Sequence, residues 1–295
     1  MPDNILYIVD VFTEKKYSGN QLAVIRDAAG FSDEDMQRIA KEMNYSETTF
    51  ILSDKEINGG YDVRIFTPED ELPFAGHPTI GTAFIIQQEI VKKQAEKIVL
   101  NLKVGQIPVT ILYKNGEPDF LQFKPVHPSF GKRLSPADIA VALGLSEGDI
   151  DGNFPIQVVS TGAGCIIAPL KSLAALKKAR VNKEIFFEAV KDLDTKVILI
   201  FSPEAREKGN QLSVRFFADE LGIVEDPATG SANGCLAGYL AKYSYFGKEK
   251  IDIRVDQGHE IGRPSQLFLK AEKKGATIDI YVGGRVIMTA RGNLV

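Results

Sequence analysis

Two short stretches of this chain carry the same pattern of residues able to do chemistry. Residues 63–83 read VRIFTPEDELPFAGHPTIGTA and residues 214–232 read VRFFADELGIVEDPATGSA. Both open on Val-Arg-x-Phe and close on x-Pro-x-x-Gly-Ser/Thr-Ala. His77-Pro78 aligns with Asp226-Pro227, Gly81 with Gly230, and Thr82 with Ser231. Proline suits the first position of a helix, where its missing N–H would have no intrahelical partner, and aspartate is a natural N-cap. The spacing therefore predicts that each turn opens a helix with proline at N1, the second capped by Asp226. Such a helix start presents unpaired N–H groups and the positive end of a dipole to an anion. With Gly76 and Gly230 in the turns, and Thr82 and Ser231 as first-turn hydroxyl donors, the two ends form a candidate site for a carboxylate or a developing oxyanion. Taken singly, either turn is explained as well by ordinary capping. Their recurrence half a chain apart sets them apart.

A third candidate is Glu47, in NYSETTF with Ser46 beside it. A carboxyl leading into an apolar strand is expected to lose hydration, which favours its protonated form and suits general acid/base work. Most glutamates at strand ends are solvated, so Glu47 alone is a weak signal. The matching stretch of the second half, around Thr195-Lys196, has no carboxylate in clear register, Asp194 being the nearest. A catalytic Glu47 would make the site asymmetric.

The elements that must position these residues also come in two sets. Residues 33–43 predict an amphipathic helix: Ser32 and Asp35 fit a capping box, and Met36, Ile39, Ala40 and Met43 share one face. Residues 48–52 and 61–66 read as strands, 78–90 and 227–242 as buried helices, 96–126 as three strands and 250–290 as four. Fainter echoes pair Ser18-Gly19-Asn20 with Ser160-Thr161-Gly162, and Val104-Gly105-Gln106 with Asp256-Gln257-Gly258. The expectation is an α+β domain used twice, the copies facing each other in pseudo-twofold fashion. The Pro/Gly/Lys stretch at 127–135 marks the boundary. It gives domains 1–128 and 129–295, with the last strand a candidate to return to the first domain.

Composition narrows the function. The net charge is −4 and Lys and Arg are scattered, which argues against a nucleic-acid partner. Two cysteines and three histidines, with no CxxC or HExxH spacing, leave a metal site few ligands, and no GxGxxG loop follows a strand. No cofactor is expected. The N-terminus, MPDNILYIVDVF, lacks a basic leader and reads as a first strand. No apolar run approaches the roughly 20 residues of a membrane span. A cytoplasmic protein with no membrane partner is the expectation. Arg64 and Arg215, duplicated within strands, read either as carboxylate ligands or as structural ion pairs.

Further motifs join these: VDVFTEKKYSGNQLAVI at 9–25, NYSETTFI at 44–51, DQGHEIGRPS at 256–265 and VGGRV at 282–286. Together with the two repeated stretches, they make the chain resemble, over nearly its whole length, the PhzF-like (phenazine biosynthesis) family. That family shares the diaminopimelate-epimerase fold. The resemblance implies two pseudo-symmetric domains, each a strongly curved, mostly antiparallel sheet around a central buried helix. It implies a cofactor-independent, homodimeric isomerase acting on a small carboxylate-bearing substrate. The family's characterised reaction is isomerisation of trans-2,3-dihydro-3-hydroxyanthranilate, in which a glutamate moves a proton within the ring. By this resemblance the catalytic residues are Glu47, His77, Asp226 and Ser231; beside them, Ser46, Gly76, Thr82 and Gly230 are the candidate substrate-binding residues. Racemases of the fold use two facing cysteines. This chain has none in 74–82 or 225–232, and Cys165 and Cys235 read as core residues. A two-base epimerase using Glu47 and Asp226, and a non-catalytic small-molecule binder, remain the alternatives.

Overall fold

Ser32 starts the first helix, α1 (Asp33–Met43). Its hydroxyl accepts the Asp35 N–H while the Asp35 carboxylate accepts the Ser32 N–H, so two of the N–H groups that a helix start leaves unpaired are satisfied reciprocally. Met36 and Ala40 turn the apolar stripe into a core with Ile25, Phe50 and Phe66. The helix occupies the residues the sequence predicts.

The computed structural model describes residues 4–295. They fall into two compact units, one formed by the chain up to Lys124 together with Gly283–Val295, the other by Pro125–Val282. In the first unit the strands are β1 (Ile5–Val11), β2 (Asn20–Ile25), β3 (Glu47–Ile51), β4 (Tyr61–Phe66), β5 (Glu71–Leu72), β6 (Lys97–Leu102), β7 (Gly105–Lys114) and β8 (Glu117–Phe123). The chain's last strand, Val286–Asn293, pairs antiparallel with β1, and β1 pairs with β2. β2 runs parallel to β3, which is antiparallel to β4. β4 runs parallel to β6, and β6, β7 and β8 form a meander. Each parallel pair needs a crossover. α1 supplies one, and α2 (Gly76–Ile85) lies in the other.

All ten residues of α2 are buried, and a π-turn over Ile86–Val91 continues it. The expected helix 78–90 therefore starts two residues earlier and changes pitch midway. A Cβ on Gly81 would lie 2.6 Å from Leu22 and 2.9 Å from Val11, so glycine is what lets the helix pack this close to β1 and β2.

The second unit repeats the plan. Its strands are β9 (Ser129–Arg133), β10 (Gln157–Ser160), β11 (Gly164–Pro169), β12 (Ile198–Ser202), β13 (Leu212–Ala218), β14 (Ile223–Asp226), β15 (Lys250–Gln257), β16 (Ser265–Lys274) and β17 (Thr277–Gly284); β18 is Val286–Asn293. The pairs β9–β10, β10–β11, β12–β13 and β15–β16 are antiparallel, while β11–β12 and β13–β15 are parallel. α3 (Pro136–Ala142), α4 (Leu173–Lys178) and α5 (Lys183–Ala189) pack a second core, and α6 (Gly230–Lys242) is buried along nearly its whole length.

The duplicated arginines bear out the ion-pair reading. Arg64 donates from Nε and Nη2 to Glu71 at 2.9 and 2.6 Å, and Arg215 does the same to Glu225 at 2.9 and 2.7 Å. Each guanidinium also lies over a phenylalanine of its own strand, Phe66 or Phe217. Arg215 additionally donates to the carbonyls of Leu176 and Ala179, tying α4 to β13. Its side chain is 3% exposed, against 20% for Arg64. Removing one partner of a buried pair strands the other charge, which costs about 3–5 kcal/mol. Urea unfolding should show that loss for Arg215→Met and a clearly smaller one for Arg64→Met. Equal losses would contradict the assigned roles.

Candidate active site

Glu47 is the first residue of β3 and sits opposite Leu22 of β2. The parallel register holds its backbone, and the residue is 9% exposed. His77, the second residue of α2, is 3% exposed. Its Nε2 lies 3.5 Å from Glu47 Oε2, and Nε2 makes no hydrogen bond among the described residues. That separation is longer than a good hydrogen bond. The other ring nitrogen, Nδ1, is 3.2 Å from the amide of Asn20, the buried first residue of β2, and the Gln21 backbone also bonds the ring. The imidazole is thus anchored by one nitrogen and turns the other to the carboxyl. Burial pushes the His77 pKa down to about 3, against the opposing pull of the Gln21 bond. The ring is neutral at ordinary pH, and its contact with Glu47 is dipolar rather than an ion pair.

Two expectations about this helix end need correction. Pro78 is the third helical residue, not the first, because the helix begins at Gly76. The position costs nothing, since no N–H of the first turn has an intrahelical partner. Thr82 lies in the second turn, fully buried, with its hydroxyl 2.8 Å from that of Thr49. It fastens α2 to β3 and is not a first-turn donor. Ser46, half-buried, immediately precedes β3, and Gly76 is the first helical residue.

In the second unit Asp226 ends β14 and is buried. It is not the N-cap of α6. The helix begins at Gly230 after Thr229, whose hydroxyl donates to Asp226 Oδ2. The reason lies in Gln257, which bonds both the Asp226 carbonyl and the Thr229 N–H and so holds 226–229 as a turn ahead of the helix. Gly230 and Ser231 are the first two helical residues, with Ser231 half-buried. The structure therefore gathers Glu47 and His77 in one unit, and Asp226, Gly230 and Ser231 in the other.

Asn20, Thr229 and Gln257 were not singled out as site residues by sequence. The signal for Asn20 and Gln257 lies in the Ser-Gly-Asn and Asp-Gln-Gly echoes, and Thr229 is the residue before Gly230 in the repeated turn itself. Burial raises both thiols, Cys235 to about 11 and Cys165 well above its usual value, so neither is a ready nucleophile. Among the described residues no group of three or more His, Cys, Asp or Glu side chains could hold a metal ion, and no helix is long and apolar enough to cross a membrane.

The profile of a family described as phenazine biosynthesis-like proteins matches residues 9–292. The trans-2,3-dihydro-3-hydroxyanthranilate isomerase of Pseudomonas aeruginosa is 34% identical over 97% of both chains. A PhzF-family phenazine biosynthesis protein of Bacillus anthracis superposes with a TM-score of 0.90 at 28% identity, covering 100% of both chains. A hydroxyproline epimerase of Agrobacterium vitis, 10% identical, gives 0.62 over 99% of this chain and 92% of its own, a likeness of fold alone. The α+β fold of diaminopimelate-epimerase type is the one the sequence predicts.

The state of His77 has a consequence for stability. Its pKa is about 3 when folded, against roughly 6.5 in an unfolded chain. Between those values the unfolded state binds a proton that the folded state refuses. The associated stability is complete above pH ~6.5 and is lost as pH falls towards the folded value. Relative to His77→Gln, wild type should lose on the order of 3 kcal/mol of unfolding free energy between pH 7 and pH 4. Parallel pH–stability curves from urea titrations would contradict the neutral ring.

Proposed function

The chain belongs to the phenazine biosynthesis-like family, and from that premise we propose that it is a cofactor-independent isomerase in which Glu47 moves a proton on a small carboxylate-bearing substrate. The reaction would be of the kind named for its relatives, isomerisation of trans-2,3-dihydro-3-hydroxyanthranilate. The observation that carries this reading is a buried carboxyl facing a neutral imidazole. An uncharged imidazole forms no ion pair with the carboxyl, and a positioned carboxyl beside it suits general acid/base work. Glu47 would accept a proton from one carbon of the conjugated ring and deliver it to another, leaving the elemental formula unchanged. In each unit a helix start, at Gly76 in the first and at Gly230 with the Ser231 hydroxyl in the second, would offer donors suited to a carboxylate or a developing oxyanion. Asp226 would orient the substrate.

Register supports one base rather than two. Phe50 faces Arg64 and Ile200 faces Arg215, so with the arginines as equivalents the place of Glu47 in the second unit falls on Val197. No second carboxyl occupies that strand position. Asp226 takes the place of His77 instead, and its Oδ2 already accepts a hydrogen bond from Thr229. Homodimeric assembly and a cytoplasmic location belong to the same proposal.

Glu47→Gln keeps the size and most hydrogen bonding of the side chain but cannot accept the proton. It should fold as wild type and lose turnover by about 10²–10⁴-fold, the range for a positioned acid/base. Asp226→Asn should lose less. The assay is conversion of trans-2,3-dihydro-3-hydroxyanthranilate, or of an acid found by screening. Glu47→Gln turning over near the wild-type rate would remove the proposal.

A further inference from the structure

The Asp-Gln-Gly run at 256–258 has no part in the proton transfer, yet it lies against the turn that carries Asp226. Gln257, the last residue of β15, is buried and its amide is fully used. Nε2 donates to the Asp226 carbonyl at 2.9 Å and to Thr229 Oγ1 at 3.1 Å. Oε1 accepts the Thr229 N–H at 3.2 Å and Asn233 Nδ2 at 2.9 Å. Turning the amide over would set a donor against the Thr229 N–H, so only this orientation satisfies the site. Because Thr229 Oγ1 accepts from Gln257, its own proton is left for Asp226 Oδ2, to which it donates. A directed chain thus runs from Gln257 through Thr229 to the carboxylate.

The flanking residues hold the amide in place. The Asp256 carboxylate accepts the N–H groups of Arg206 and Glu207 at 2.6 and 3.0 Å, and the Asn210 amide as well. Gly258 has φ +77, and a Cβ there would lie 2.6 Å from the Pro227 carbonyl oxygen. Only glycine lets β15 end this close to the 226–229 turn. Among the described residues the first unit has no such device. Tyr61 faces Leu100 and Leu212 faces Val255, which puts Leu102, a buried hydrophobe, at the place of Gln257.

We propose that Gln257 is the positioning residue for Asp226, fixing the direction of its carboxylate through the Thr229 hydroxyl. This rests on the reading that Asp226 belongs to the active site. Residues that hold a reacting constellation act on geometry, and small misplacements cost rate. Gln257→Leu, which installs the first unit's residue, should lower kcat on trans-2,3-dihydro-3-hydroxyanthranilate by on the order of 10–100-fold, with a smaller change in KM. Added to Asp226→Asn it should cost nothing further, because two residues acting through one group are not additive. An undiminished kcat, or the same loss in both backgrounds, would overturn the proposal.

Gln257→Glu serves where Gln257→Leu fails to fold. As a neutral acid, Glu keeps a donor and an acceptor. As a carboxylate it loses the donor and sets a charge beside Asp226. Its kcat relative to wild type should therefore fall as pH rises, and a pH-independent ratio would overturn the proposal. Asp226→Asn with wild-type kinetics would instead refute the active-site reading. A crystal structure of Gln257→Leu separates the two. The Asp226 carboxylate leaving the Thr229 hydroxyl is the expected result, and an unmoved Asp226 sinks the clamp whatever the activity.

Discussion

Exclusion of water from the start of α2 is the constraint on which the proposed chemistry depends. An imidazole in water would share its environment with a carboxylate as a cation for part of the pH range. Held 3% exposed, His77 stays neutral, and the carboxyl 3.5 Å away faces a dipole rather than a charge. The condition is met by packing. The helix is buried on every side, glycine brings it close to the strands, and the Asn20 amide and the Gln21 backbone hold the ring in a fixed direction.

The two units show one scaffold made to do two things. What supports the fold is kept: the strand order, both parallel junctions, and an arginine–glutamate fork over a phenylalanine. The residues proposed for the chemistry differ at equivalent places. Glu47 stands where the second unit has Val197, His77 where it has Asp226, and Thr82 where it has Ser231. The helix starts diverge with them. The first helix begins ahead of its His-Pro pair. The second begins after its Asp-Pro pair, because the Gln257 amide consumes the backbone groups of 226–229 in a turn.

Much of this was legible in the sequence wherever the determinant was local. The Ser32–Asp35 box and the spacing from Met36 to Met43 gave α1 its limits, and strand-forming residue types gave β4 as Tyr61–Phe66. Local rules failed where a distant partner decided. Proline and aspartate next to an apolar run look like N1 and N-cap, but Pro78 rides in the third position and Asp226 pairs with Thr229. The asparagine that anchors His77 is 57 residues away and the glutamine that shapes the Asp226 turn is 31 away. No periodicity encodes such contacts. Thr82 looked like a ligand donor because its alignment with Ser231 carried the type but not the turn of the helix.

The central claim is that one buried carboxyl, Glu47, takes a proton from the substrate and returns it. The direct test is a single turnover of trans-2,3-dihydro-3-hydroxyanthranilate in D₂O, with deuterium at the receiving carbon read by mass spectrometry. A carboxyl this little exposed exchanges slowly with solvent while substrate covers it, so part of the product should carry protium at that carbon at the earliest times. Complete deuteration in the first turnover would contradict the account and point to a second base or a solvent-borne proton.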